Sequence, residues 1–90
     1  MDSHLITYDL NKQGQDYKTL HEKIKSIGTW WHCLESVWIV KSNNSASEIR
    51  DFLKTYIDSN DELLVIRVTK GWATQGLSDK CNKWLKDNLT

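Results

Sequence analysis

The chain has 90 residues, of which twelve are basic and twelve acidic, so its formal net charge is zero. This length predicts one domain over residues 1–90. Because the charges cancel, the whole molecule does not attract a polyanion, which counts against a dedicated nucleic-acid binder but is compatible with a local basic patch. Five Trp, three Tyr and one Phe are a heavy aromatic load. Some of these rings are therefore predicted to lie at an interface.

The sequence contains no predicted membrane span or export signal. Its longest apolar run is far shorter than the roughly 20 residues of a spanning helix, and no charged segment leads into an apolar one. Cys33 and Cys81 lack metal-ligand spacing and are predicted to be reduced thiols in the core. We therefore expect a cytoplasmic protein with no membrane partner.

The first predicted element is a strand that ends in a carboxylate. Residues 5–8 are strand formers without polar alternation, which is typical of a central strand covered on both faces. Asp9 follows at the carboxyl end, where functional carboxylates are common in open sheets flanked by helices. Residues 11–14 have turn chemistry, so the alternative is that Asp9 only begins a turn.

A helix and a hairpin come next. Asp16 is the predicted N-cap of the helix and Gly28 its C-cap. The apolar residues of this helix recur at helical spacing: Tyr17, Leu20, Ile24 and Ile27. The strand-like runs 29–34 and 37–40 are separated by Glu35-Ser36, which lacks the Gly or Asn of a primed turn. The hairpin turn is therefore predicted to be wide or bulged.

The second half of the chain predicts a helix, a strand and a terminal helix. Ser45 and Glu48 have the spacing of a capping box. The apolar stripe that follows consists of Ile49, Phe52, Leu53, Tyr56 and Ile57. Residues 63–68 are rich in aliphatic side chains and predict a strand that is apolar on both faces. After a loop at 71–76, Ser78 is expected to cap a helix that packs through Leu77, Cys81, Trp84 and Leu85.

This order of elements is the β-α-β-β-α-β pattern of an α+β, ferredoxin-like domain with a four-stranded antiparallel sheet. The core is expected over residues 4–69, with a C-terminal loop and helix at 70–90. The first and last strands carry apolar residues at positions that face both sides of the sheet, so the face opposite the helices also needs a cover. The candidates are the terminal helix, another copy of the chain, or both. We favour a homodimer.

Two short motifs resemble landmarks of the CRISPR-associated protein two family. These are Ile6-Thr7-Tyr8-Asp9-Leu10, a strand that ends in Tyr-Asp, and Ser36-Val37-Trp38 at the third strand. Members of that family are small ferredoxin-like dimers often described as metal-dependent nucleases, and the VapD toxins share the fold. The chain resembles still more closely small bacterial proteins known as SinR-like, through residues 5–9, 30–32 and 63–68.

The resemblance implies a site at the end of the first strand. Asp9 corresponds to the family carboxylate that, with its twin across the dimer axis, would hold Mg²⁺ or Mn²⁺ and act in catalysis on a phosphodiester. Tyr8 would support the strand end, and Ser36 would lie near it. The family arginine of the first helix or second strand is absent. Lysine is found in this helix instead, and lysine lacks the bidentate fork of arginine.

Three further groups of residues have weaker signals. His4, His21 and His32 form no local metal motif and are expected on the surface or in packing, although strand pairing would allow His32 to shuttle a proton near Asp9. Trp30 and Trp31 point to opposite faces of one strand. A nucleic-acid contact is assigned to Arg67, Lys70 and Trp31, with a solvated face or a dimer anchor as the alternative.

Two classes of function follow. One is a Mg²⁺- or Mn²⁺-dependent endonuclease acting on RNA or DNA through Asp9. The other is a catalytically inactive dimeric adaptor or regulator with a protein, nucleic-acid or small-molecule partner, in a defence, toxin-antitoxin or mobile-element system. Zero net charge and the absent arginine favour the second class, whereas Tyr8-Asp9 at a strand end favours the first.

Overall fold

A computed structural model of the chain describes residues 1–11 and 17–89. The elements are β1 (Asp2–Asp9), α1 (Lys18–Ile27), β2 (Trp30–Leu34), β3 (Val37–Ser42), α2 (Ala46–Leu53) with a 3₁₀ turn at Lys54–Tyr56, β4 (Glu62–Val68) and α3 (Asp79–Asn88). This order confirms the prediction of an α+β, ferredoxin-like fold with a C-terminal helix.

The four strands form one antiparallel sheet in the order β2-β3-β1-β4. β1 is central, as predicted, and Ile6 on it pairs with Trp38 of β3 and Val65 of β4. β4 is an edge strand, and its successive side chains alternate between the two faces of the sheet. Its side chains Leu64 and Ile66 are exposed by 54% and 48%.

The main core lies on the sheet face that α1 and α2 cover. Its buried members are Ile6, Tyr17, Leu20, Ile24, Trp38, Val40, Ile49 and Leu53. The predicted stripe of α1 packs here, and so does that of α2 except for Phe52, which is 40% exposed and was wrongly predicted to pack. Full burial of each Leu or Ile side chain contributes roughly 1.5–3 kcal/mol, so this cluster is the main stabilising feature of the fold.

Two of the helices begin at the predicted serine N-caps. The Ser45 hydroxyl accepts the Glu48 amide at 3.1 Å, and the Ser45 amide donates to the Glu48 carboxylate at 2.8 Å, which completes the capping box. Ser78 caps α3 by accepting the Cys81 amide at 3.2 Å. The predicted N-cap Asp16 lies outside the described residues.

Gly28 follows α1, and the backbone of β3 passes very close to it. Its φ of 170° is extended, so a left-handed cap does not explain the glycine. A Cβ at this position would overlap the carbonyl oxygen of Lys41. A glycine is therefore required here by close approach of the backbone.

The β2–β3 hairpin is bulged, as predicted. Leu34 pairs with Val37 across the two-residue turn, and the register shifts between Trp31 and Leu34. No non-glycine residue in the described part of the chain has positive φ, so the turn is not of the primed type.

α3 lies on the opposite face of the sheet and covers part of it. A second apolar cluster forms there from Trp31, Ile39, Leu85 and Leu89. The Ser3 hydroxyl donates to the Asn88 carbonyl oxygen at 3.0 Å, which fixes the end of α3 against β1. The terminal helix is thus one cover of the second face, but it leaves Leu64 and Ile66 of β4 exposed.

The prediction that Cys33 and Cys81 are reduced thiols is wrong, because they form a disulfide between β2 and α3. Their Cα atoms are 6.4 Å apart, within the usual range for such a bond. The pairing arises because α3 crosses the sheet face onto which Cys33 projects. Disulfides persist mainly in oxidising compartments, so the cysteines no longer support a cytoplasmic setting. Within residues 1–11 and 17–89, no helix has the length and apolar character needed to cross a membrane.

Candidate functional site

Asp9 is the last residue of β1 and lies directly opposite Glu62, the first residue of β4. Both side chains are exposed. Directly opposed residues of antiparallel strands project to the same face, with Cβ atoms about 4.5–5.5 Å apart. An open cleft of about 380 Å³ is lined at this point by Thr7, Tyr8, Asp9, Glu62, Leu63 and Leu64. Two adjacent negative charges repel each other, so this end of the sheet favours a cation.

A second open cleft, of about 400 Å³, shares Tyr8 and Asp9 with the first. Its lining residues are Tyr8, Asp9, Leu10, Tyr17, His21, Glu35 and Ser36. The Thr7 hydroxyl donates to the Ser36 carbonyl oxygen at 3.0 Å and ties the β2–β3 turn to β1. The structure thus brings together Tyr8, Asp9 and Ser36, the residues that the sequence resemblance placed in one site.

Tyr8 is held by hydrogen bonds to residues on two other elements. The indole N–H of Trp38 donates to the Tyr8 hydroxyl at 3.0 Å, and this hydroxyl lies 3.0 Å from Nε2 of His21. Because the phenol oxygen already accepts the indole proton, its own proton is available to an unprotonated Nε2 of His21. Burial raises the pKa of Tyr8 above its usual value of 10.0, so the phenol stays protonated at neutral pH.

His21 lines the cleft beside Asp9, whereas His32 has a packing position. The His32 ring stacks on Trp38 with centroids 3.7 Å apart, and its Nδ1 lies 3.1 Å from the Val37 carbonyl oxygen. His21 is therefore the histidine that lines the cleft at Asp9.

Asp61 fixes the chain on both sides of the site. Its carboxylate accepts the Tyr17 hydroxyl at 2.9 and 3.1 Å and the Asn11 amide at 2.7 Å. It also accepts the Asp58 amide at 2.8 Å. These bonds connect the segment that follows Asp9 to the loop that enters β4, so they hold the ends of both strands in place.

The predicted nucleic-acid contacts lie away from Asp9. Arg67 is opposite His4 and forms an exposed ion pair with Asp2 at 3.6 Å. It lies five positions after Glu62 in β4, a distance of about 17 Å along the strand. Lys70 lies beyond the same end of β4 and is exposed. Trp31 is only 5% exposed, and its indole N–H donates to the Cys81 carbonyl oxygen at 3.1 Å.

Glu62 and His21 line the clefts at Asp9, and neither was predicted there from the sequence. The position of Glu62 could have been predicted, because antiparallel pairing of the first and last strands places the start of the last strand beside the end of the first. His21 has no comparable local signal. Its position depends on how α1 packs over Tyr8 and Trp38.

The residues present fit a magnesium-type ion only in part. No group of three or more His, Cys, Asp or Glu side chains within the described ranges is arranged to hold a metal. Asp9 and Glu62 offer two carboxylates per chain, and Mg²⁺ is commonly bound by one or two carboxylates with water completing its shell.

No protein-family model matches this chain, and no solved structure matches it significantly. The geometry of its own residues therefore carries the functional argument.

Proposed function

We propose that the chain is a Mg²⁺- or Mn²⁺-dependent phosphodiesterase acting on RNA or DNA, with Asp9 at its site. The observation that supports this most strongly is the exposed pair of Asp9 and Glu62 at the carboxyl end of the central strand. The resemblance of Tyr8-Asp9 and Ser36-Val37-Trp38 to the CRISPR-associated protein two family supports the same position.

The neighbouring residues have separate roles in this proposal. Asp9 and Glu62 would hold the cation, which when bound supplies a polarised water and neutralises charge on the phosphodiester. Tyr8, fixed by Trp38 and His21, keeps the strand end in place. His21 lines the adjacent cleft and holds the Tyr8 hydroxyl at 3.0 Å from its Nε2, which fixes the wall of the cleft beside Asp9.

The proposal includes a homodimer. α3 leaves the β4 side of its sheet face uncovered, and the apolar side chains Leu64 and Ile66 are exposed there. A second copy would bury this surface and add the partner's carboxylates to the site. The first cleft includes Leu64 as well as Asp9, so the apolar surface and the acidic pair are contiguous.

A cleavage assay tests the enzymatic role. The wild-type protein is expected to cut labelled RNA or DNA with Mg²⁺ or Mn²⁺, and Asp9→Asn to lose the activity with its fold retained. Asp2→Asn is the matched control, because Asp2 is an exposed carboxylate at the other end of the same strand. Activity in Asp9→Asn equal to that of the wild type would contradict the proposal.

A second candidate is a catalytically inactive dimeric adaptor or regulator. The positions of Arg67 and Lys70 favour it, because neither cation lies near Asp9 to bind a scissile phosphate. In this case the wild type would show no metal-dependent cleavage, and the dimer would still form. The proposed role is then to bind a protein or nucleic-acid partner in a defence, toxin-antitoxin or mobile-element system.

The cellular setting is also a proposal. The cytoplasmic prediction stays untested, and the disulfide between Cys33 and Cys81 favours an oxidising compartment instead. Mass spectrometry of the protein after rapid thiol alkylation in its native cells would decide. Two alkylated cysteines support the cytoplasm, and an intact disulfide supports the oxidising compartment.

A further inference from the structure

A row of four apolar side chains crosses the sheet on the face that α3 partly covers. Leu5 of β1 lies directly opposite Ile39 of β3 and Ile66 of β4, and Trp31 of β2 lies opposite Ile39. Directly opposed residues of antiparallel strands project to the same face, so these four side chains form one continuous apolar row. Trp31 and Ile39 are each 5% exposed beneath α3, whereas Ile66 is 48% exposed. The position of α3 therefore decides how much of the apolar row meets solvent.

Few non-covalent contacts hold α3 on the sheet. Leu85 is the one residue within the helix that is buried, and Leu89, which follows the helix, packs in the same cluster. The Ser3 hydroxyl and the Trp31 indole N–H donate to backbone carbonyl oxygens of the helix at 3.0 and 3.1 Å. These contacts have to offset the conformational entropy that a helix of ten residues loses when it docks.

One side chain of α3 opposes the docked position. The indole Nε1 of Trp84 is enclosed and has no hydrogen-bond partner among residues 1–11 and 17–89. An enclosed donor without a partner has lost its hydrogen bonds to water, which destabilises the packed state. Movement of α3 away from the sheet would return this N–H to water.

The segment between β4 and α3 allows such a movement. Residues 69–76 are all exposed, so they do not anchor the helix through a buried contact of their own. Gly71 and Gly76 have φ angles of 98° and 82°, in the left-handed region that favours glycine. Because glycine adopts many other backbone conformations without a steric clash, the segment can change its path while the four strands stay paired.

The disulfide between Cys33 and Cys81 is the covalent contact between α3 and the sheet, and it is accessible from the surface. Both cysteines are half-buried, and both line a cleft of about 340 Å³ at the edge strand β2. Thiol–disulfide exchange requires that a thiolate reach one of the two sulfur atoms. A small dithiol can therefore attack this bond in the folded protein.

We propose that Cys33 and Cys81 form a redox switch, which holds α3 over the apolar row when oxidised and releases it when a dithiol reduces the bond. A thiolate of the dithiol attacks Sγ of Cys33, the Sγ–Sγ bond breaks, and its electron pair stays on Sγ of Cys81, which takes up a proton. The second thiol of the dithiol then attacks the dithiol sulfur of this mixed disulfide as a thiolate. Cys33 leaves as a thiolate and is protonated, and the dithiol ends as a cyclic disulfide. Two electrons and two protons thus pass from the dithiol to the protein.

Release of α3 exposes Trp31 and Ile39 beside Leu5 and Ile66, so the reduced protein presents a longer apolar surface than the oxidised protein. The switch does not depend on the proposed phosphodiesterase activity, because none of its residues lines the two clefts at Asp9.

Hydrogen exchange of the full-length protein, followed by NMR in native buffer with and without dithiothreitol, tests the release. We expect the α3 amides of the reduced protein to lose at least about tenfold of their protection while the β1 amides stay protected. The fluorescence of ANS, a dye that binds exposed apolar surface, should rise on reduction. Asp9→Asn should respond as the wild type does, whatever its activity.

Two controls separate release from general destabilisation. Cys33→Ala/Cys81→Ala should exchange as the reduced wild type does, with or without dithiothreitol. The rate at which dithiothreitol reduces the wild type is also measured at urea concentrations that leave the protein folded. This rate should not depend on urea, because the attack takes place on the folded protein.

Three results would overturn the proposal. The first is unchanged protection of the α3 amides after reduction. The second is exchange of the α3 and β1 amides at one common rate, which would show global unfolding instead of release. The third is a reduction rate that rises with urea in step with global unfolding, because the disulfide would then be inaccessible in the folded protein.

Discussion

At the scale of single residues, Tyr8 connects the candidate site to the core. Its ring belongs to the partly buried surroundings of the main cluster, while its hydroxyl meets Trp38 and His21. Asp9, the next residue, is exposed at the end of the same strand. One strand end thus places a rigid phenol and an exposed carboxylate side by side, which is the arrangement that a site on a fixed scaffold needs.

His4 makes stability depend on pH. It is 2% exposed, its Nδ1 has no hydrogen-bond partner within the described part of the chain, and burial lowers its pKa below 6.5. Nearby Arg67 acts in the same direction and Asp2 opposes it. The His4 side chain therefore binds a proton more readily in the unfolded chain than in the folded one. The contribution of neutral His4 to the free energy of unfolding is complete above pH 6.5 and is lost as pH falls from 6.5 through the pKa of the folded state.

We expect urea unfolding at pH 5 to give a smaller free energy of unfolding than at pH 7.5. The difference should shrink in His4→Phe, which keeps a ring but does not titrate. An equal difference in the variant and the wild type would show that other groups cause the pH dependence.

Asp61 is predicted to be the most important carboxylate for stability near the site. Asp61→Ala removes the acceptor of the Asn11 amide, the Tyr17 hydroxyl and the Asp58 amide. We expect a loss of about 2–4 kcal/mol in the free energy of unfolding, since bonds to a charged group are the stronger ones. Tyr17→Phe should reduce the free energy of unfolding by less, because it removes one of these bonds. A double-mutant cycle of Asp61→Ala and Tyr17→Phe measures the coupling between the two side chains. A loss below that of Tyr17→Phe would contradict the role of Asp61.

At the scale of elements, local patterns were sufficient for most of the fold. The spacing of Ser45 and Glu48 and the helical recurrence of Leu20 and Ile24 depend only on near neighbours in sequence, and the structure confirms them. The disulfide depends on α3 crossing beneath β2, and 48 positions of sequence separate its cysteines. No local pattern contains that crossing, which is why both cysteines were assigned as free.

The disulfide is predicted to hold α3 against the sheet. A closed loop of this length stabilises by about 4 kcal/mol in the chain-entropy model. Reduction by dithiothreitol should therefore lower the free energy of unfolding by several kcal/mol and speed hydrogen exchange in α3 more than in β1. The double variant Cys33→Ala/Cys81→Ala is the control, because dithiothreitol should not change its stability. Equal stability of the reduced and oxidised wild type would contradict this role.

At the scale of the whole molecule, the two sheet faces differ in how completely they are covered. α1 and α2 cover one face, whereas α3 covers part of the other and leaves Leu64 and Ile66 of β4 exposed. The sequence predicted that the second face needs a cover, because its strands are apolar at both parities. It could not predict how much of that face α3 would cover, since this depends on the direction in which the helix crosses the sheet.

The exposed side of β4 is where we expect the dimer contact. Ile66→Lys places a charge on this surface and should convert the dimer to a monomer in sedimentation equilibrium. Phe52→Lys is the matched control, because Phe52 is an apolar side chain of similar exposure, 40% against 48% for Ile66, on α2 across the sheet. A dimer that persists in Ile66→Lys, or a wild type that is monomeric, would place the contact elsewhere or exclude it.

The most direct test of the proposed function is an amide NMR titration of the wild-type and Asp9→Asn proteins with Mg²⁺, followed by Mn²⁺. We predict saturable Mg²⁺ shifts and Mn²⁺ broadening centred on Asp9 and Glu62, both lost in Asp9→Asn and both kept in Asp2→Asn. Identical titrations of the wild type and Asp9→Asn, or shifts centred away from the β1–β4 end, would contradict a metal site at Asp9.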